Sequence, residues 1–181
     1  NDPFDNLHPK YRANSNVIIY SSNKSSSTYA PQHNSFDLYE INKLTSKIIQ
    51  LTNTPLVNEI QPQPQNKFSY YYLSNINGVN NQYKKATDST ISHIDTVIHY
   101  RKYQTPFQLS NYDRNIQEID IHPETEKFIT LYKKNGKYQF LTGDLTKQTI
   151  FENNDVKTRF ASYNSQRSSV EGDRRSYPVA V

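Results

Sequence analysis

The chain has 181 residues, with 21 Lys+Arg against 17 Asp+Glu for a formal charge of +4, 34% hydrophobic side chains and a mean hydropathy of -0.90. Tyr 15 and Phe 8 supply enough large side chains for a core, which argues against disorder throughout. Cys 0 excludes disulfides, thiolate metal sites and cysteine nucleophiles, and no apolar run approaches the ~20 residues of a membrane-spanning helix. This length holds one domain or two small ones.

Residue 1 is Asn, Met is absent and no leader pattern opens the chain, so it reads as starting at a processed or internal end. Val17-Ile-Ile-Tyr-Ser-Ser is β-branched and aromatic and predicts a strand. A Ser/Asn/Pro-rich loop runs to His33. Phe36 to Ile41 then alternates as a half-buried strand does, and Lys47 to Thr52 follows as a third strand after a polar turn. A second round predicts a strand at Phe68 to Ser74, a turn at Asn75 to Gly78 and a strand at Asn81 to Thr87. A long alternating run from Ile91 to Tyr103 and the short piece Phe107-Gln-Leu-Ser complete it. A third round predicts strands at Ile116 to Ile121, Phe128 to Tyr132 and Lys137 to Leu141, with Asn135-Gly136 as a hairpin turn. Residues 161–181 are Ser/Arg-rich and read as an extended tail that a partner surface, or the remainder of a longer chain, would order.

The rounds share wording. Gln50, Leu51, Thr52 and Asn53 recur as Gln108, Leu109, Ser110 and Asn111, a spacing of 58 (111 − 53). Tyr20, Ser21, Ser22 and Asn23 recur as Tyr72, Leu73, Ser74 and Asn75, a spacing of 52 (75 − 23). Each Asn closes a strand, where its side chain suits a turn cap. Unequal spacings predict one strand framework carrying loop insertions of different length.

With Leu38 and Tyr39 in Asp37-Leu-Tyr, and Tyr83 at the corresponding place in Asn81-Gln-Tyr, these words resemble the TolB-like propeller repeat, a relative of the WD-type repeat common in bacterial envelope proteins. The resemblance spans roughly residues 8–150 and is most specific over 17–53. It implies an all-β fold: part of a TolB-like β-propeller over 1–160, as about three antiparallel blade-like sheets (rounds about 8–56, 57–112 and 113–156), with the irregular tail at 161–181. The family's Ser-Pro-Asp-Gly-Lys turn is replaced by Arg12-Ala-Asn-Ser-Asn, by Gln61-Pro-Gln-Pro-Gln-Asn and by His122-Pro-Glu-Thr-Glu; the usual Trp is missing, and 87–107 reads as an insertion. Closed propellers have at least ~4 blades, so three rounds predict flanks that further sheets or another chain must cover.

Sharper chemistry finds little purchase. His93, Asp95 and His99 on one flat strand would spread over as much as ~20 Å rather than converge on a metal. Glu118, Asp120 and His122 alternate beside Ile119 and Ile121 and read as the wet side of a strand. No glycine flanks a serine as a nucleophile elbow requires, and no Gly-rich phosphate loop occurs. The basic residues are scattered, so no nucleic acid is expected as a partner. Tyr70-Tyr71-Tyr72 alternates as a strand between two sheets. Asp88-Ser-Thr and Asp95-Thr-Val resemble a short O-glycosylation signal, on what reads as an exposed loop at 87–105.

The resemblance thus implies a non-enzymatic scaffold, exported to the periplasm or outer-membrane surface, that holds other envelope proteins in an outer-membrane-associated assembly. No cofactor or metal is expected. The candidate contact residues are Tyr100, Tyr103, Phe107, Tyr112, Tyr163 and Tyr177, large amphipathic anchors of the kind that dominate interfaces. The rival readings are a propeller that gates a serine oligopeptidase and a glycan-binding propeller.

Overall fold

In the computed structural model the described residues are 2–13, 15–24, 34–54, 56–94 and 98–147, with backbone alone for 87–94 and 98–105. They are all-β, in three antiparallel sheets of which none closes on itself. Sheet 1 contains β1 (Asn6–Tyr11), β2 (Val17–Ser22), β3 (Asp37–Asn42) and β4 (Ile48–Gln50) in that order. Sheet 2 contains β5 (Glu59–Pro64), β6 (Ser69–Ser74), β7 (Asn81–Ile94) and β8 (Ile98–Gln108), again in chain order. Sheet 3 contains β9 (Ile116–Ile121), β10 (Lys127–Lys134) and β11 (Lys137–Asp144), followed by a 3-10 turn at Leu145–Lys147. Each sheet is a meander, the cheapest way for successive short strands to satisfy their backbone groups.

Sheet 2 is the middle layer, and every residue of β6 is buried. Alternation sends Tyr70 and Tyr72 to one side, where with Tyr83 they pack on Ile19 and Leu38 of sheet 1. It sends Tyr71 and Leu73 to the other, where with Leu109 they pack on Ile119, Ile121 and Phe128 of sheet 3. The triple tyrosine is thus a strand between two sheets. Sheet 3 meets this core through β9, whose Ile116, Ile119 and Ile121 are buried while Gln117, Glu118 and Asp120 stay wet. Phe128 lies against Gly143, where an added Cβ would sit 2.6 Å from the ring.

Arg12 pins sheet 1 to sheet 2. Its guanidinium donates to the carbonyls of Asn66 and Lys67 (3.1 and 3.2 Å), pairs with Glu40 at 3.3 Å and lies over the Tyr70 ring. Gln61 and Gln63 tie β5 to β9. Gln61 Nε2 donates to the Gln117 carbonyl (2.7 Å), its Oε1 accepts the Ile119 N–H (2.9 Å), and Gln63 Nε2 donates to the Ile119 carbonyl (3.1 Å).

Three expectations need correction. β5 was expected as a turn, through Gln61 to Asn66, and for β1 no expectation was drawn. Both are strands, bulged where His8 and Gln61 take φ of 53° ahead of Pro9 and Pro62. Proline's missing donor and the left-handed residue are tolerated because each strand is the first, edge strand of its sheet. The run Ile91 to Tyr103 is not one strand: it folds back, with His93 opposite His99 and Ile94 opposite Ile98. The stretch 87–105 is accordingly a paired two-strand arm rather than a loop. β6 stops pairing with β7 at Ser69–Ala86, and the arm runs on beyond it. The tail at 161–181 lies outside the described residues.

Candidate functional site

The repeated words occupy equivalent places. Tyr39 is paired with Gln50 across β3 and β4, as Tyr83 is with Gln108 across β7 and β8. The Leu38 N–H donates to Thr52 Oγ1 at 2.8 Å, and the Gln82 N–H donates to Ser110 Oγ at 2.8 Å. Leu51 and Leu109 donate their own N–H groups to the carbonyls of Leu38 and Gln82, each at 2.8 Å. Asp37 accepts the Thr54 N–H (3.0 Å) where Asn81 accepts that of Tyr112 (2.8 Å). Ser22 and Ser74 sit opposite these two residues. Asn23 and Asn75 do not cap their own turns; each accepts from the residue that opens its sheet, Asp5 N–H (2.9 Å) and Asn58 N–H (2.7 Å). Asn53 is exposed, and Asn111 has a buried Oδ1 with no hydrogen-bond partner.

The unequal spacings now have a cause. The equivalence is 52 residues at β2 and β6, 44 at β3 and β7 (81 − 37) and 58 at β4 and the end of β8. The β6–β7 connection is eight residues shorter than β2–β3, and the β7–β8 arm adds fourteen.

The joint between successive sheets is also made twice. Phe36 N–H donates to Asn58 Oδ1 (3.1 Å) and its carbonyl accepts the Glu59 N–H (2.7 Å). Asn80 N–H donates to Asn115 Oδ1 (2.7 Å) and its carbonyl accepts the Ile116 N–H (3.1 Å).

A cleft of about 230 Å³ opens between sheets 1 and 2, lined by Thr52, Thr54, Glu59, Tyr72, Tyr83 and Lys85 among others. Glu59 is 5% exposed and its Oε2 has no hydrogen-bond partner. Burial pushes its carboxyl above the usual range, against hydroxyl donors from Thr52 and Thr54. Burial likewise raises Asp37, although Thr54, Thr52 and Gln50 all donate to it. Lys85 is lowered by burial, opposed by Glu59 and Asp37, and its Nζ donates to the Leu51 carbonyl at 2.7 Å. Glu59 and Lys85 line the cleft and Asp37 lies beside them, so two carboxyl groups and one ammonium share a largely buried neighbourhood. Nothing in the local sequence marks this cluster, because its members come from β3, β5 and β7 and meet only through sheet packing.

The candidate contact residues do not come together as one surface. Phe107 is half-buried on β8 at the base of the arm. Tyr112 packs against the core between sheets 2 and 3, and burial raises its hydroxyl. Tyr100 and Tyr103 belong to the arm by their backbone, opposite Ile91 and Asp88. Tyr163 and Tyr177 lie outside the described residues. Among the described residues, the exposed large apolar side chains, none of which the sequence singled out as a contact, include Tyr11, Leu44, Ile48, Phe68, Tyr138 and Phe140.

No protein-family model matches the chain, and no curated protein matches it.

Proposed function

We propose that the chain is part of a TolB-like propeller exported to the bacterial cell envelope, where it holds other envelope proteins in an outer-membrane-associated assembly and catalyses nothing itself. The observation that carries this reading is the doubled hydrogen-bond set. Two consecutive sheets are built around the same residues and stacked through the same joint, which is how a propeller grows. The arm at 87–105 supports an interaction role, since a paired hairpin projecting from a packed scaffold offers side chains to a partner without disturbing the core. The test is cross-linking in intact cells followed by fractionation. The chain is expected with outer-membrane proteins, and replacing 87–105 by a two-residue turn, or deleting 161–181, is expected to release it. A freely diffusing protein indifferent to both changes would sink the reading.

A further inference from the structure

Each sheet has a forward face, toward the sheet that follows in the chain, and a rear face. The forward faces of sheets 1 and 2 present Ile19, Leu38 and Leu51, then Tyr71, Leu73 and Leu109. The rear faces of sheets 2 and 3 present Tyr70, Tyr72 and Tyr83, then Ile119, Ile121 and Phe128. Two faces are left over, each with exposed apolar side chains. One is the rear of sheet 1, where of the large apolar side chains Tyr39 alone is buried, its hydroxyl donating to the Lys24 carbonyl; the other is the front of sheet 3, whose β9 edge carries Glu118 and Asp120 beside Leu131 and Ile129. On the rear of sheet 1 the register lines up Tyr11, Ile18, Ile41 and Ile48 in one row across all four strands. Tyr11 is 59% exposed and Ile48 42%. On the front of sheet 3 Leu131 is opposite Phe140 and Lys133 opposite Tyr138, with Ile129 in the adjoining row. Phe140 is 72% exposed and Tyr138 64%. In sheet 2 the row equivalent to Tyr11, Ile18, Ile41 and Ile48 is Pro64, Tyr70, Lys85 and Pro106, of which Tyr70 is buried against sheet 1. Asp5, moreover, stands where Asn58 and Asn115 accept the amide of the preceding sheet.

We infer that the occupant of both faces is a second copy of this chain, the front of sheet 3 in one copy packing on the rear of sheet 1 in the other, and the reverse. The contact continues an interface the chain already makes twice, so each copy carries both halves of it. Two such contacts related by a two-fold axis close six sheets into a ring, within the range of closed propellers and without an open end for further addition. Closure removes both apolar rows from water, which is what exposed patches of this kind call for. The inference rests on the sheets alone and holds whether or not the chain serves an envelope assembly.

The experiment is the mass of the intact 181-residue chain in solution, by light scattering and sedimentation across a wide concentration range. A species of twice 21.2 kDa with no larger species at the highest concentration is expected. Phe140→Asp and Ile48→Asp alter exposed positions on opposite faces, and each is expected to give monomers with an unchanged far-ultraviolet spectrum. A monomeric wild type overturns the proposal, as does a mass that climbs without a plateau, or aggregation relieved by neither variant. A second arm uses the absence of cysteine: single Tyr138→Cys and Tyr11→Cys chains, mixed with a short bismaleimide, are expected to cross-link to each other far faster than either does to itself. Equal rates would overturn the head-to-tail arrangement even if a dimer exists.

Discussion

Glu59, Asp37 and Lys85 leave one negative charge without a counterpart whenever both carboxyls are ionised. Their folded pKa values lie above the ordinary 4.5 and 3.8, so the folded chain retains protons that the unfolded chain has released. Between the unfolded and folded pKa values, stability therefore falls as pH rises, and the penalty is complete above the folded values. Glu59→Gln removes the Glu59 share of it. The variant is expected to be about 1–2 kcal/mol more stable than wild type at pH 7 and indistinguishable from it near pH 4, in thermal melts at the two pH values. Lys85→Met works the other way, leaving two buried carboxyls and the Leu51 carbonyl without their cation. It is expected to cost ~3 kcal/mol by urea unfolding at pH 7, a loss that shrinks in acid as the carboxyls take up protons.

Among the elements, the Asn135-Gly136 hairpin was the plainest to read, and its geometry explains why. Both residues have positive φ, 51° and 78°, the two-residue turn whose twist matches the strands it joins. Gly136→Val keeps the space around the turn empty yet strains the backbone, and is expected to lower stability by ~1–2 kcal/mol without altering the mass or the sheet content. Strands β2, β3, β6, β9, β10 and β11 were legible for a related reason: one face of each is apolar and the other polar or differently packed, so the pattern has the period of a strand. The bulged strands β1 and β5 were not legible, because Pro9, Pro62 and Pro64 and a run of Gln side chains hide a role played through side-chain amides. Gln61→Ala orphans the Ile119 N–H and the Gln117 carbonyl, and is expected to cost ~1–3 kcal/mol in chemical denaturation. The repeated words were visible in the sequence, whereas the charge cluster was not, since Asp37 and Lys85 are brought to Glu59 by the stacking of separate sheets.

The molecule as a whole turns on sheet 2, which supplies one wall of each core. Loss of either core exposes β6, so the sheets have no route to unfold one at a time without uncovering it. Leu73→Ala is expected to cost ~2–5 kcal/mol. Far-ultraviolet and tyrosine-fluorescence transitions of that variant are expected to coincide, as they should when both cores are lost together; separated transitions would mean that sheet 1 persists alone. This dependence also explains why composition gave so little notice of stability: with 34% hydrophobic residues, the chain sets three consecutive tyrosines on one central strand where both sides are packed.

The bulges near the starts of β1 and β5 have a consequence for how this protein meets others of its kind. An open sheet border is ordinarily a template on which any extended peptide can continue the ladder, the first step toward fibrils. Here the two borders carry a left-handed residue followed by an imino acid, so the row of donors and acceptors is broken in the middle and offers no continuous register to copy. Growth along these borders is frustrated, and association is steered toward the broad surfaces, where shape and side-chain identity decide the outcome.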